Sequence, residues 1–200
     1  MDRWQDCTDR ELWARAETDP DAFGELFRRH GRTVYAFCLR WTAEPALAED
    51  LTSVVFLQAW TKRSAVALER DSALPWLLGI AVGTTRNARR SQRRHKAALA
   101  RLPVDDPTSR GPADDHAGPV VDRLAARQDL LAARQALAAL PRAEQEVLAL
   151  IVWGEQTYEQ AAVALGIPVG TVRSRLSRAK AHLRAELSPT DDVQPALQQS

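Results

Sequence analysis

Cysteine is nearly missing from this sequence, no apolar run is long enough to cross a bilayer, and one long stretch carries no acidic residue at all. Each gap removes a class of function. Cys7 and Cys38 stand far apart without a CxxC or histidine-rich companion spacing, which argues against a disulfide framework or a structural zinc. Cys38 lies within Val34, Tyr35, Ala36, Phe37 and Leu39, where a small buried core residue is expected. The longest uncharged stretch, Ser72 to Thr85, is too short for a membrane span and contains Pro75. The opening Met-Asp-Arg-Trp lacks a basic-then-apolar signal pattern, so a cytoplasmic location without membrane insertion is expected. Carboxylates clustered for metal ions, as a nuclease or transposase needs, are also lacking. We therefore expect no enzyme: no catalytic residue, no metal and no cofactor.

The acid-free stretch runs from Ser72 to Val104 and holds Arg86, Arg89, Arg90, Arg93, Arg94, Lys96 and Arg101. The net charge of the whole chain is only +1, so this is local concentration rather than a polycationic composition. Like charges this dense repel one another unless an anion is close. Trp76 precedes them on the same predicted helix, and an aromatic beside basic side chains suits separated nucleic-acid strands, by base stacking and phosphate pairing. Trp76 sits among leucines, however, and a core position is an equal expectation for it.

A second basic surface lies between Thr157 and Leu187. Thr157 to Leu165 reads as a short helix, Gly166-Ile-Pro168 as a turn, and a longer helix starts near Val169, which together have the form of a helix-turn-helix. At about 100° per residue, Val172, Leu176, Ala179, Leu183 and Leu187 line one side of the second helix. Arg173, Ser174, Ser177 and Arg178 fall roughly opposite. Arginine can pair with a guanine edge and serine can donate or accept, so that outer face suits the major groove, with Arg175, Lys180 and Arg184 as phosphate partners. An amphipathic helix with a solvated basic face is the plainer alternative.

The rest of the chain reads as helices in two groups. Thr8 and Glu11 have capping-box spacing, and Asp19-Pro20 opens a longer helix. Its buried stripe is Phe23, Leu26, Phe27, Val34, Phe37, Cys38 and Trp41, with His30 at the core edge rather than as a catalytic base. Pro45 begins a helix with Leu47, Leu51, Val54, Val55 and Phe56 inward and Glu49, Asp50 and Gln58 on a polar side. Between Pro103 and Asp122 the sequence turns to prolines, glycines and five aspartates without apolar periodicity, as in a flexible linker. It is a spacer on first reading; its acidity also allows it to cover a basic surface. Beyond it, Leu124, Leu130, Leu131, Leu137 and Leu140 mark a helix, and Val147, Leu148, Ile151, Val152 and Trp153 the core of the next, which Pro141 starts and Gly154 stops. The expected fold is all-α: two small helical domains, 1–102 and 123–187, a linker at 103–122 and a mobile tail at 188–200.

Ala48-Glu-Asp-Leu51, Phe56-Leu-Gln-Ala-Trp60 and Pro75-Trp-Leu-Leu-Gly-Ile-Ala81, followed by a basic helix, resemble region 2 of bacterial sigma factors of the extracytoplasmic-function (ECF) group within the sigma-70 family. Leu140-Pro-Arg-Ala-Glu-Gln-Glu-Val147, Tyr158-Glu-Gln-Ala-Ala162 and Gly166-Ile-Pro-Val-Gly-Thr-Val-Arg-Ser-Arg175 resemble their region 4. The resemblance implies a transcription initiation subunit that performs no covalent chemistry. It implies docking on the β′ clamp helices and β flap of core RNA polymerase, melting and capture of the promoter −10 strand, and reading of the −35 duplex. By position it assigns Asp50, Leu57 and Gln58 to polymerase binding. It assigns Trp76, Gly83, Arg86, Asn87, Arg90 and Arg94 to the −10 element, and Arg173, Ser174, Ser177 and Arg178 to the −35 element. An anti-sigma factor is a further partner that the resemblance raises. Ser53 and Val54 stand where the family often has glutamine and an acid, and Gly83 where it commonly has the asparagine that helps hold a flipped base. Asn87, one turn later, is placed to compensate.

A free-standing helix-turn-helix regulator shares only the last element. It needs no polymerase-binding domain and normally dimerises on symmetric half-sites.

Overall fold

The computed structural model describes residues 3–68, 70–99, 132–133 and 135–187, the side chains at 92, 93 and 95–99 excepted, and these residues form helices and turns without a strand. The expected linker, the expected helix start at Leu124, Leu130 and Leu131, Arg101, and the tail from Ser188 lie outside the described residues. So do the side chains of Arg93 and Lys96.

Local chemistry accounts for the helix starts. Helix α1 (Asp9–Arg15) opens on a reciprocal capping box: Glu11 N donates to Thr8 Oγ1 at 3.2 Å and Thr8 N to Glu11 Oε2 at 2.8 Å. Helix α2 (Pro20–Thr42) opens on Asp19, whose carboxylate accepts from Asp21 N at 3.1 Å, and stops where Ala43 turns left-handed at φ 56°. Helices α3 (Pro45–Lys62) and α4 (Leu74–Leu99) complete the N-terminal group, and Pro45 supplies α3 with a preset first-turn φ. In the C-terminal group, α5 (Arg142–Leu148) follows Pro141 and runs into a π turn at Ala149–Trp153. Helix α6 (Tyr158–Leu165) has a second capping box, between Thr157 and Gln160. It ends on Gly166 at φ 62°, a conformation that glycine adopts without Cβ strain, and α7 (Val169–Leu187) comes next.

Helices α2, α3 and α4 bury Leu26, Val34, Phe37, Val55, Leu77, Leu78 and Val82, each at most 2% exposed. Trp13, Phe23, Phe56 and Trp60 add edge-to-face and tilted ring contacts. In the C-terminal group Val147, Leu150, Ala161, Val172, Leu176 and Ala179 close the core. The two cores are continuous, because α6 lies along α4 and Trp153 meets Trp41 edge to face at 5.8 Å.

Four residues expected inside are exposed. Phe27 is 48% exposed because its neighbour Leu26, about 100° round the helix, takes the inward position. Val54 lies on the outer side of α3, and Leu187 on the last turn of α7, past the packing surface. Val152 is exposed because the π turn, closed by Gly154 N donating to Ala149 O at 2.9 Å, inserts one extra residue and rotates the chain beyond it.

Cys38 is fully buried, and loss of solvent pushes its thiol up to about 11 despite a hydrogen bond with Thr52. At pH 8 only about one thiol in a thousand is then ionised. We expect a disulfide reagent to titrate Cys7 alone in the native protein and Cys38 only after denaturant is added. Rapid reaction of both would contradict the buried site.

Candidate nucleic-acid interface

Helix α7 presents the outer face that its periodicity predicts. Arg173, Ser174, Ser177 and Arg178 are all exposed, while Val172, Leu176 and Ala179 are buried beneath them. Lys180 and Arg184 flank them in solvent, and Arg175 is half-buried. Tight turning at Gly166 and Pro168, with Val172 N bonded to Pro168 O at 3.2 Å, lifts the first turn of α7 clear of α6. Ser174 Oγ donates to Thr171 O at 3.0 Å, leaving its oxygen free to accept. Arg173 lies 5.7 Å from the Tyr158 ring centroid, so α6 holds it at the start of the reading face. Glu159 nearby is fully exposed; hydrogen bonds to its own backbone amide and to Thr157, then the charges of Arg173 and Arg70, hold its carboxyl below the usual range.

Two buried glutamates of α5 lie beside this face, Glu144 under α7 and Glu146 turned toward α4. Glu144, 5% exposed, accepts from His182 Nδ1 at 2.8 Å and lies 3.9 Å from Arg178 Nε. It joins α5 to α7 and orients Arg178. Glu146, also 5% exposed, takes Arg86 Nη2 at 2.6 Å and Arg142 Nε at 3.2 Å on one oxygen. The sequence signals are one acid in the first turn of α5 and the Arg142–Glu146 spacing of four, both of which ordinarily read as solvated surface.

On α4, Trp76, Gly83, Asn87, Arg90 and Arg94 recur at intervals of seven, four, three and four, so the structure brings them onto one stripe, with Arg86 beside it. Asn87, Arg90 and Arg94 are all exposed along the stripe. Trp76 is half-buried and meets Trp13 edge to face at 4.9 Å, which places it in the packing of α1 against α4. That contact is the core packing expected of it, and part of the ring stays accessible. Gly83 is half-buried, yet a Cβ built there meets nothing within 4 Å.

The face of α3 is separate. Asp50 is exposed, Leu57 is 62% exposed and Gln58 is half-buried, with Val54 between them at helical spacing. Large apolar side chains left in water at one patch fit a partner surface. Among the described residues no group of three or more His, Cys, Asp and Glu is placed to hold a metal, and no helix is long and apolar enough to cross a membrane.

Comparison with known proteins matches this geometry from both ends. The family model "Sigma-70 region 2" matches residues 26–95, and "Sigma-70, region 4" matches residues 130–183. The chain is 34% identical over 171 residues to the probable RNA polymerase sigma factor RfaY of Xanthomonas campestris pv. campestris, covering 83% of this chain but only 40% of that relative's length. It is 28% identical over 189 residues to the ECF RNA polymerase sigma factor RpoE of Cereibacter sphaeroides, covering 92% of this chain and 99% of that protein. Its fold is similar to the sigma factor in the co-crystal structure of RpoE with the anti-sigma factor NepR from Bartonella quintana. The TM-score is 0.58 at 23% identity, over 84% of this chain and 98% of that one.

Proposed function

The chain belongs to the sigma-70 family, in its extracytoplasmic-function group, and from that membership we propose that it brings core RNA polymerase to a defined set of promoters and helps to open them. The observation that carries this reading is the presence, in one chain and in this order, of a region 2 whose fourth helix bears a basic stripe and a region 4 whose last helix presents Arg173, Ser174, Ser177 and Arg178 to solvent. The protein acts by binding alone and performs no covalent chemistry.

Two weak sites make one selective reader. Region 4 takes the −35 duplex, with Arg173 and Arg178 on base edges and Lys180 and Arg184 on phosphates. Region 2 takes the unwound −10 strand on Arg86, Asn87, Arg90 and Arg94. Each module alone binds modestly and loses affinity as salt rises. Held on one polymerase, the second contact becomes intramolecular, so both elements at the right spacing select the promoter. Holding one base outside the stack costs a few kcal/mol, which the α4 contacts offset. Asp50, Leu57 and Gln58 form the polymerase-facing surface against the β′ clamp helices, and region 4 docks on the β flap. An anti-sigma factor is a further partner; the structural similarity to a sigma factor captured with one supports it. The protein works in the cytoplasm, at the nucleoid when bound to polymerase.

Run-off transcription with purified bacterial core polymerase and genomic fragments of the source bacterium tests this directly. Defined starts that appear only with the protein, sharing two upstream elements at fixed spacing, are the expected result. No core binding together with tight binding to a palindromic duplex would instead make it a free-standing regulator.

Gly83 gives a sharper test of the −10 assignment. The open space around it admits a side chain, so Gly83→Asn is expected to fold normally, raise the yield of open complex and change the preferred −10 base. Asn87→Ala is expected to lower that yield several-fold. Permanganate reactivity of unpaired thymines reads both, and an unchanged footprint in the two variants argues against this stripe as the strand-handling surface.

A further inference from the structure

More guanidinium groups meet between α4 and α5 than the carboxylate among them can neutralise. Arg86, Arg90 and Arg94 of α4 and Arg142 of α5 line a cleft of about 560 Å³ together with Glu146. Four cations against one anion leave three positive charges among these five residues. Glu146 Oε1 accepts from Arg86 Nη2 at 2.6 Å and Nε at 3.0 Å, and from Arg142 Nε at 3.2 Å. Arg89, also in the wall, donates to Gln145 Oε1 at 3.1 Å. Arg90 and Arg94 are exposed, and among the described residues no carboxylate pairs with either.

The single carboxylate makes a shaped receptor of this charge. By bonding both Arg86 and Arg142 it holds the two guanidiniums in place before any ligand arrives, yet 43% and 54% of their side-chain surface stays accessible. A guanidinium has five N–H donors, so each keeps donors for a second anion. Trp41 and Leu140, 8% and 5% exposed, give the cleft an apolar wall, against which charge pairing is less screened than in open water. Arg86, Arg90 and Arg94 are four residues apart, so they stand about 6 Å from one another along the helix axis. One phosphate reaches one or two of them; a short chain of phosphates reaches the row. The volume is that of a small-ligand pocket.

We propose that this cleft binds a linear oligophosphate, as the inorganic ion or as the phosphate chain of a nucleotide, with Arg90 and Arg94 on one end and Arg142 on the other. This goes beyond promoter reading, because the ligand is small and Arg142 lies outside the strand-handling stripe. Arg90 and Arg94 belong to both. The occupant and a nucleic-acid strand therefore exclude each other on those two arginines, a consequence that rests on α4 being the strand-handling helix.

Isothermal titration of the full chain with inorganic triphosphate, at constant ionic strength, tests the site. One triphosphate per chain is expected. Orthophosphate should bind at least about tenfold more weakly, since it reaches fewer guanidiniums. Arg142→Gln and Arg94→Gln should each weaken triphosphate roughly tenfold, the worth of one charge-assisted hydrogen bond. Arg94 carries no ion pair, so its variant keeps the Glu146 contacts intact. Arg32→Gln, an equal loss of charge at an exposed position of α2 outside the cleft, should stay within about twofold of native. ATP without divalent metal separates the two sources: equal affinity means that the phosphate chain alone is recognised, and tighter binding means that a nucleotide is. No binding overturns the proposal, as do equal affinities for orthophosphate and triphosphate or equal losses in the cleft and Arg32 variants. Anisotropy of a fluorescein-labelled oligothymidylate tests the exclusion: triphosphate is expected to displace it, and joint occupancy overturns the sharing of Arg90 and Arg94. A native chain that binds triphosphate but no oligothymidylate keeps the cleft and removes the strand-handling role of α4.

Discussion

Arg29→Met is expected to lower the unfolding free energy by about 3–5 kcal/mol, the usual consequence of removing one partner from a buried charge network. The Arg29 guanidinium is three-quarters buried and uses three of its nitrogens. Nε donates to Glu25 Oε1 at 2.7 Å, Nη1 to the Cys7 carbonyl at 2.7 Å and Asp9 Oδ1 at 3.2 Å, and Nη2 to the Trp4 carbonyl at 2.7 Å. It therefore ties the segment before α1 to the middle of α2. Methionine fills the volume but takes a cation from both Asp9 and Glu25, each 6% exposed, leaving Glu25 to Arg28 alone and Asp9 to His30 and the Ala73 amide. Arg3→Ala is the comparison: the Arg3 side chain, paired with Asp19, is two-thirds exposed, and exposed pairs contribute at most about 1 kcal/mol. Urea unfolding curves measure both. Equal midpoints for the two variants would refute the network's role.

Through Asp9 the same network contributes to stability at acid pH. Burial pushes the Asp9 carboxyl up, but hydrogen bonds from His30 and from the Ala73 amide, the charge of His30 and the hydrogen bond from Arg29 together outweigh it and hold the carboxyl below its usual value. A carboxyl depressed in the folded state stabilises fully above the unfolded value of about 3.9. Its contribution is lost as pH falls from there through the folded value. Between pH 5 and 8 Asp9 gives no slope. Asp9→Asn should accordingly lower stability at neutral pH and flatten the acid limb of the stability curve.

Beyond the Glu25–Arg29 pair, four residues apart on α2, this network is not readable from the sequence, although much of the fold is. Thr8 with Glu11 and Thr157 with Gln160 are reciprocal contacts three residues apart, so their geometry is local and the pattern alone predicts it. The outer face of α7 is likewise a property of one helix's period. Asp9 instead meets residues 20 and 64 positions away, and Glu146 meets Arg86 60 positions away; such pairs exist only once helices are docked. An acid in a first turn looks the same in sequence whether it faces water or a buried arginine. The π turn is hidden for another reason: Ala149 to Trp153 is apolar throughout, so no polar residue marks the change of phase that exposes Val152. Trp76 is open between core and stacking in the sequence, and its packing depends on Trp13, which comes from another helix.

Leu57→Glu is expected to weaken binding to core polymerase roughly a hundredfold, the cost of disrupting an interface hot spot, while leaving the fold intact. Asp50, Val54, Leu57 and Gln58 are spaced by four, three and one residues and so share one side of α3. Leu57 is 62% exposed and Val54 38%, and Phe27 of α2, 48% exposed, stacks edge to face on Phe56 of α3 at 4.7 Å. The inner side of α3 meanwhile buries Leu51, Val55, Phe56 and Ala59. Glutamate at position 57 therefore removes no core contact, and its effect on unfolding should stay within about 0.5 kcal/mol. In an interface it places a desolvated charge where an apolar side chain is required. Arg173→Ala gives the complementary result: core affinity is unchanged, but use of the −35 element falls, with about 1–3 kcal/mol of base discrimination lost. Biolayer interferometry on immobilised core, run beside promoter-specific transcription, separates the two surfaces. Native-like core binding by Leu57→Glu would move the polymerase contact off α3 and leave its exposed apolar side for another partner.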